Sequence, residues 1–597
     1  MRRRCGWCTL IGWGQGVRVE RVLRAEPSRG RGRPRPHFER RRASPSPNAY
    51  GAAVAAILCA AVLTGRGADK KMIGHSWDLL AVQPADVARN LDAWEQVPLD
   101  GISLTLRKKL PDGSSISFGT IMTDPPWQRE WFTEELATLR QCASRNLKHN
   151  FLTTFWAPKK RLAWRDDAAW ERFARSIGVM AWLAKESGTK GILIDPEDYP
   201  ETRQYFLMPG DAPFAETAAL ARRRGAQVMR SIAAEYPDVT LLSFWMLSLH
   251  PRYFTDNDPG AAVVEAGDLW PAFLNGMLDA LPPGARMIDG DEHGYRYQAA
   301  RNDFYLACWR TQNQALALVE PSNRAKYQTQ VLAGFGLYLD MYTNPTNSPW
   351  YFGELDGSRL NHLRRNVAQA LDAAQEYIWI YGEKMDWITW KGTPREKNPT
   401  WEAKLPGFLD TLARIRDPRR WAEQRVARLR QAGALTNGVK SSACSLDKTG
   451  AGEAFRKGVL PAGWWSWQEE KKRAGVFGTE TQKGRGDAWS LCAVGVEQGC
   501  FGTSIPAAPG RAFIVEAYAQ GAAPALTVYW KRAGAWDWAL PGAVIRFDAA
   551  GPDGWRRAFG LVQVPEGADE LVMMLGVRQE AGERTWFDAA GIYPLGK

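Results

Sequence analysis

Gly191-Ile-Leu-Ile-Asp-Pro-Glu-Asp-Tyr-Pro200 is a short apolar run that stops abruptly at three carboxyl groups and an aromatic ring. It predicts a buried strand that delivers acids to its own C-terminal end. Side chains alternate along an extended strand, so Leu193, Asp195 and Glu197 fall on one face. In a parallel α/β barrel, that end of the strands is the face where reactive groups collect.

Seven further β-rich runs flank this one between Lys70 and Trp387. They are Met72 to Trp77, Gly101 to Leu106, Phe151 to Trp156, Val239 to Trp245, Arg286 to Gly290, Gly334 to Tyr342 and Tyr377 to Tyr381. Helical patterns separate them, among them Pro84 to Gln96, Asp167 to Glu186, Phe214 to Glu235 and Leu360 to Glu376. This alternation predicts successive βα units on a parallel sheet, and eight of them fit a (β/α)8 TIM barrel. The structural rival is a doubly wound open sheet; no glycine-rich phosphate fingerprint follows the first strand, which counts against a nucleotide-binding version of it. From Leu435 on, Gly, Pro, Trp and short alternating runs dominate, and an all-β, jelly-roll-like sandwich is expected there. The expected organisation is therefore a barrel over 70–395, a helical linker over 396–434 and a sandwich over 435–597.

The net charge of +12 does not mark a nucleic-acid binder, because residues 1–50 alone carry thirteen Arg against three Glu. That leaves about two net positive charges for the other 547 residues, too few for a phosphate-binding face. The Arg/Pro/Gly/Ser-rich start has no apolar periodicity and is expected to be a disordered basic extension, in keeping with an overlong start assignment. Ala52 to Leu63 is a run of twelve apolar residues followed by Gly65-Arg-Gly-Ala68. Such a run is short for a membrane span and suits a signal peptide over 51–68, so the chain reads as secreted or periplasmic, without a stable membrane anchor after cleavage. An N-terminal anchor is the alternative. Cys142, Cys308, Cys444, Cys492 and Cys500 follow that segment, an odd and sparse set that is no disulfide framework and has no zinc spacing.

Gathering the strand ends on one rim brings His75 and Trp77, Trp156, then Asp195, Glu197 and Tyr199, then Trp245. The later strands add Asp289, Asp291, Glu292, His293 and Tyr295, then Asp340 and Tyr342, and finally Glu383. An acid pair among aromatic faces is what cleavage of a glycosidic bond requires: one carboxyl protonates the leaving oxygen while the other attacks the anomeric carbon or activates water. Alternation puts Tyr377, Trp379, Tyr381 and Glu383 on one face, and Tyr338, Asp340 and Tyr342 on another.

The order of parts resembles exported glycoside hydrolases of the retaining clan A, with a barrel followed by a carbohydrate-binding module. In that resemblance the acid/base is a Glu at the end of the fourth strand, the position of Glu197 in Ile194-Asp-Pro-Glu197. The clan's nucleophilic Glu ends the seventh strand, where this chain has Asp340, and the clan's Asn-Glu dipeptide is absent from the fourth. Glu197 is thus the expected acid, with Asp195 beside it, and Glu383 ranks ahead of Asp340 as its partner. His75, Trp77, Trp156, Tyr199, Trp245, Asp289, Glu292, Tyr295 and Tyr342 are the expected carbohydrate-binding residues. No metal or organic cofactor is expected. Leu435-Thr-Asn-Gly438, Pro461 to Trp467 and Trp586-Phe-Asp588 resemble segments of jelly-roll carbohydrate-binding modules, with Trp464, Trp465, Trp467, Trp530, Trp536 and Trp538 divided between core and sugar platform. Two other readings stand beside the hydrolase: a non-catalytic glycan-binding protein with a degenerate barrel, and a metal-assisted barrel hydrolase or lyase using His75, Asp195, Asp289 and His293.

Overall fold

The computed structural model describes residues 70–199, 202–254, 256–446 and 453–595. The expected basic extension and signal peptide lie outside the described residues. Among those described, no helix is long and apolar enough to cross a membrane.

The N-terminal part is a barrel-like parallel sheet wrapped by helices. Its strands are β1 (Lys71–Ser76), β2 (Gly101–Leu104), β3 (Phe151–Phe155), β4 (Gly191–Asp195), β5 (Thr240–Ser243), β6 (Arg286–Asp289), β7 (Val331–Ala333), β8 (Phe335–Tyr338) and β9 (Tyr377–Gly382). Each pairs in parallel with its neighbours from β1 through to β7, and β8 pairs with β9, which pairs back onto β1. β7 and β8 are consecutive pieces of one stave, parted only at Gly334, whose amide donates to the Asp289 carbonyl at 2.8 Å. The sheet is thus nearly closed, its two end strands being joined through the chain at Gly334.

The strand sequences explain the arrangement. β4 and β5 are buried along nearly their whole length, as near-continuous apolar strands covered on both faces should be. Gly191 opens β4 because the next strand runs so close that a Cβ there would stand 1.8 Å from the Thr240 carbonyl oxygen. Helices α1 (Asp167–Ser187), α2 (Phe214–Glu235), α3 (Trp270–Ala280) and α4 (Arg359–Ala373) lie among these strands in the chain. Asp166 caps α1 by accepting from the Ala169 amide at 2.9 Å, and Gly188 ends it in the left-handed conformation at φ 77°. Trp156, Trp170 and Phe273 fill the space between sheet and helices; each large ring removed from water contributes about 1.5–3 kcal/mol.

The seventh stave differs from the expected Gly334 to Tyr342. It starts earlier and ends at Tyr338, after which Leu339–Tyr342 forms a single 3-10 turn. The Asp340 carbonyl accepts the Thr343 and Asn344 amides, which turns the chain away from the sheet. The expected helix over Pro84 to Gln96 is broken at Asn90 into Pro84–Arg89 and Leu91–Trp94.

The C-terminal part holds two antiparallel sheets with a separate apolar core between them, including Phe501, Leu526, Val528, Trp530 and Phe587. One sheet carries Ala512–Gly521, Arg556–Gln563 and Arg584–Pro594; the other carries Trp465–Gln468, Gly499–Pro506, Ala525–Arg532 and Glu570–Val577. Helix α5 (Pro418–Gln431) ties this part on, packing Trp421 and Val426 into a cluster with Ile514, Phe559 and Tyr593. Arg557 adds bonds to Glu516 at 2.7 Å and Glu423 at 3.0 Å. All five cysteines in the described residues are free thiols.

Candidate active site

The acids that end β4 meet at a turn. β4 stops at Asp195, Pro196 breaks the ladder, and the Glu197 amide donates to Asp195 Oδ1 at 3.0 Å. The Tyr199 phenol donates to Glu197 Oε2. Asp198 points elsewhere: it accepts the Gln204 amide at 2.6 Å and the Tyr205 amide at 2.7 Å, so it holds the loop that follows the acids. Burial pushes its carboxyl up to about 6.

Glu292 comes to the same place from β6. It opens a 3-10 turn, Glu292–Arg296, whose Tyr295 ring stacks on Tyr381 at 5.9 Å and tilts against Trp379 at 5.4 Å. That docking depends on Gly336, where a Cβ would meet the Trp379 ring at 2.7 Å and the Tyr295 ring at 3.0 Å. Burial raises the Asp195, Glu197 and Glu292 carboxyls above their ordinary range, and their mutual repulsion adds to it: Glu197 and Glu292 both act on Asp195, and Glu197 acts on Glu292. The Tyr199 hydrogen bond pulls Glu197 the other way. Three carboxyls from two strand ends thus share one electrostatic site, in which each is pushed toward its protonated form.

An aromatic wall flanks them. His75 stacks on Tyr381 at 5.5 Å, Tyr338 stacks on Tyr381 at 5.5 Å, Phe244 stacks on Trp379 at 4.2 Å, and Trp350 meets Tyr338 edge-on at 5.8 Å. His75 is buried with Nδ1 2.8 Å from Ser103 Oγ, and burial lowers its pKa to about 3, so the ring is neutral. At the open edge of this wall Trp77 is 39% exposed and Tyr199 43% exposed.

Glu383 and Asp340 form a second acidic pair. The Glu383 amide donates to Asp340 Oδ2 at 2.8 Å, and the Tyr381 phenol donates to Glu383 Oε1 at 3.3 Å. Asp340 is fully buried and Oδ1 has no hydrogen-bond partner, whereas Glu383 is half-buried. Burial raises both carboxyls, and Asp340 adds to the rise at Glu383. Glu383 and Glu197 both act on the Tyr381 phenol and raise its pKa, in addition to burial.

Several residues expected on the rim are placed in other roles. Asp289 has no exposed surface and accepts the amides of Met246, Leu247 and Ser248 at 2.8–2.9 Å, together with the Ser248 hydroxyl. Its carboxylate anchors the loop after β5 and leaves no oxygen for a ligand. Trp156 follows the last residue of β3 and turns into the layer between sheet and helices, against Phe173 and Phe273. Trp245 is buried. Tyr342 accepts from the Asn366 amide at 2.8 Å and packs on Phe352 and His362, away from the wall. The metal-assisted reading loses one of its ligands in this way, since both Asp289 oxygens are engaged. Among the described residues, no group of three or more His, Cys, Asp or Glu is placed to hold a metal ion. The wall members Phe244 and Trp350 were not foreseen; Phe244 sat in a run read as strand interior, and Trp350 arrives on a loop with no local signal.

The C-terminal tryptophans divide. Trp464 and Trp530 are buried, while Trp467 is 41% and Trp538 57% exposed. Trp538 stacks on Trp536 at 5.1 Å, and Trp465 meets Trp536 edge-on at 6.3 Å, which gives a continuous aromatic surface on one sheet.

No family model and no curated protein matches the chain. Among solved structures, it is similar to the CBM22-1–GH10 modules of a Clostridium thermocellum endo-1,4-β-D-xylanase complexed with xylohexaose. There the identity is 10% and the TM-score 0.19, over 23% of this chain and 26% of that chain. It is similar to an arabinose-bound GH51 α-L-arabinofuranosidase at 13% identity and TM-score 0.19, over 27% of each chain. It is also similar to the module TmCBM61 in complex with β-1,4-galactotriose, at 12% identity and TM-score 0.17, over 22% of this chain and 90% of that one. The chain spans about a quarter of the length of the first two structures.

Proposed function

We propose that the chain is a glycoside hydrolase that cleaves O-glycosidic bonds at the C-terminal mouth of a (β/α)8 barrel. The observation that carries this reading is the meeting of Asp195, Glu197 and Glu292, from two strand ends, beside the wall of Tyr295, Tyr338 and Tyr381. Glu197 is the general acid. Burial raises its carboxyl and so favours the proton that it delivers to the leaving oxygen, and the Tyr199 phenol fixes the oxygen that does not carry it. Glu292 is the partner carboxyl, either attacking the anomeric carbon or taking a proton from the attacking water. Asp195, which binds the Glu197 amide, orients the acid. Glu383 serves as a hydroxyl acceptor behind Tyr381, held in place by Asp340. The aromatic faces stack on the apolar faces of sugar rings, and Trp77 and Tyr199 extend that surface outward. This two-carboxyl reaction uses no metal or organic cofactor.

The exposed tryptophans of the C-terminal sandwich are read as a second glycan contact, and the segment Ala52 to Leu63 as an export signal. The test is release of reducing ends from a panel of polysaccharides and aryl glycosides by the purified protein. On the polysaccharides, Glu197→Gln and Glu292→Gln are each expected to lower turnover by about two orders of magnitude or more. Full turnover of the polysaccharides in either variant contradicts its assigned role. The glycan-binding reading predicts sugar binding with no product from any substrate.

A further inference from the structure

We propose that Arg161 is a positioning residue for the proton donor: from the loop after β3 it clamps the loop after β4, and so holds the Tyr199 phenol against Glu197. This rests on reading Glu197 as the general acid. Eighteen residues separate β4 from α2, a connection longer than most in compact domains. Tyr199 lies near its start and is 43% exposed, so packing of the ring does little to fix it. Its direction is set by the backbone that carries it.

That backbone is folded on itself and then tied down. The Tyr199 carbonyl accepts the Thr202 and Arg203 amides at 3.0 and 3.1 Å, and the Asp198 carboxylate accepts the Gln204 and Tyr205 amides at 2.6 and 2.7 Å. Both ties begin at or beside Tyr199 and end on residues that the loop after β3 holds. The buried Gln204 side chain accepts the Leu162 amide at 2.7 Å and donates to the Leu162 carbonyl at 3.1 Å. The Arg161 guanidinium donates to the Arg203 carbonyl at 3.2 Å and the Phe206 carbonyl at 2.9 Å. It also grips both Asp211 oxygens, at 3.1 and 2.7 Å. One planar fork thus joins the end of the Tyr199 turn to the residues that lead into α2, a geometry that a lysine ammonium does not reproduce. The Arg161 and Asp211 side chains are mostly shielded, so solvent screens the pair only in part. Arg161 reaches Glu197 through this turn and the Tyr199 phenol. The phenol bond favours the charged carboxylate and so opposes burial; without it the carboxyl titrates higher.

The experiment is a carbon-13 NMR titration of the full-length protein labelled at the glutamate side-chain carboxyls, with the Glu197 signal identified by its loss in Glu197→Gln. Tyr199→Phe and Arg161→Ala are each expected to raise the Glu197 midpoint by about one pH unit. The double variant is expected to rise no further than Tyr199→Phe alone, because both changes remove the same bond. Asp195, Glu292, Tyr295 and Tyr381 also bear on Glu197 or feel it, and all are retained throughout, so the differences report the Tyr199 bond. Arg161→Lys keeps the charge beside Asp211 without the fork; it guards against an alanine variant that does not fold, and is expected to shift the midpoint the same way. A lowered melting temperature with an unmoved midpoint would reduce Arg161 to a prop of the fold and overturn the proposal. Shifts that add in the double variant would overturn it too. The alkaline limb of kcat/KM on an alkyl glycoside is read separately and is expected to move up with the midpoint. Shifted midpoints without turnover of any glycoside would remove the hydrolase reading and leave the clamp standing. Turnover that needs Glu197, with an unmoved midpoint, would do the reverse.

Discussion

The backbone amide of Glu383 donates to the carboxylate of Asp340 at 2.8 Å, so the acid in the turn after β8 holds in place the acid that follows β9. The position of the one therefore depends on the other. Asp340 is a fully buried support, and Glu383 is the half-buried group that it positions. Asp340→Ala leaves that amide without its acceptor and is expected to cost about 1–3 kcal/mol of stability in denaturant unfolding. Glu383→Gln keeps the amide donor and is expected to stay within about 0.5 kcal/mol of the parent. Equal losses in the two variants would contradict this division.

Asp289 is expected to matter for folding rather than for binding. Its carboxylate accepts three successive amides and a hydroxyl at full burial, so Asp289→Ala strands several donors at once. A loss of about 3 kcal/mol or more is expected. Thermal and denaturant unfolding measure it; a variant as stable as the parent but defective in sugar binding would restore Asp289 as a ligand.

Stability should respond to pH on two sides. Asp198 titrates at about 6 in the folded chain, above an unfolded carboxyl, so the fold retains a proton that the unfolded chain gives up. Its contribution is complete below the unfolded pKa and is lost as pH rises through about 6. His75 titrates at about 3, below an unfolded imidazole, so its contribution is complete above about pH 6.5 and is lost as pH falls toward 3. Melting temperatures from pH 3 to 8 should show Asp198→Asn flattening the decline between about pH 4 and 6 while leaving the acid limb intact. An unchanged profile in that variant would contradict the assignment.

In the C-terminal sandwich, Trp530→Ala removes a core ring and is expected to cost about 3–5 kcal/mol. Trp538→Ala and Trp467→Ala, at exposed positions, should leave stability within about 0.5 kcal/mol. Both should weaken retention on insoluble polysaccharide in a pull-down. Undiminished retention in the double variant would remove the sandwich as a glycan contact.

Much of the arrangement was legible in the sequence where local signals and tertiary packing agree. The apolar run before Asp195 formed β4, and the other β-rich runs formed strands of the same parallel sheet, because each is short, buried and bounded by a helix pattern. Side-chain direction was less legible wherever a strand ended. Trp156 lies one residue beyond β3 and is drawn outward by Phe173 and Phe273, and Asp289 is captured by amides of the neighbouring loop. Alternation failed beyond Tyr338 because a 3-10 turn replaced the strand, sending Tyr342 toward Asn366. Glu292 was read as a hydroxyl ligand. Its approach to Glu197 depends on the close fit of Tyr295 over Gly336, a contact between residues 41 positions apart that no local pattern announces.

The central claim is that Glu197 supplies the proton to the leaving oxygen. The most direct measurement compares kcat/KM of Glu197→Gln and the parent on paired glycosides of one sugar, one with a nitrophenyl leaving group and one with an alkyl leaving group. A general acid is needed only where the leaving oxygen is a poor one, so the variant should lose about a hundredfold or more on the alkyl glycoside and far less on the nitrophenyl glycoside. Equal losses on both, or none on either, would contradict the account.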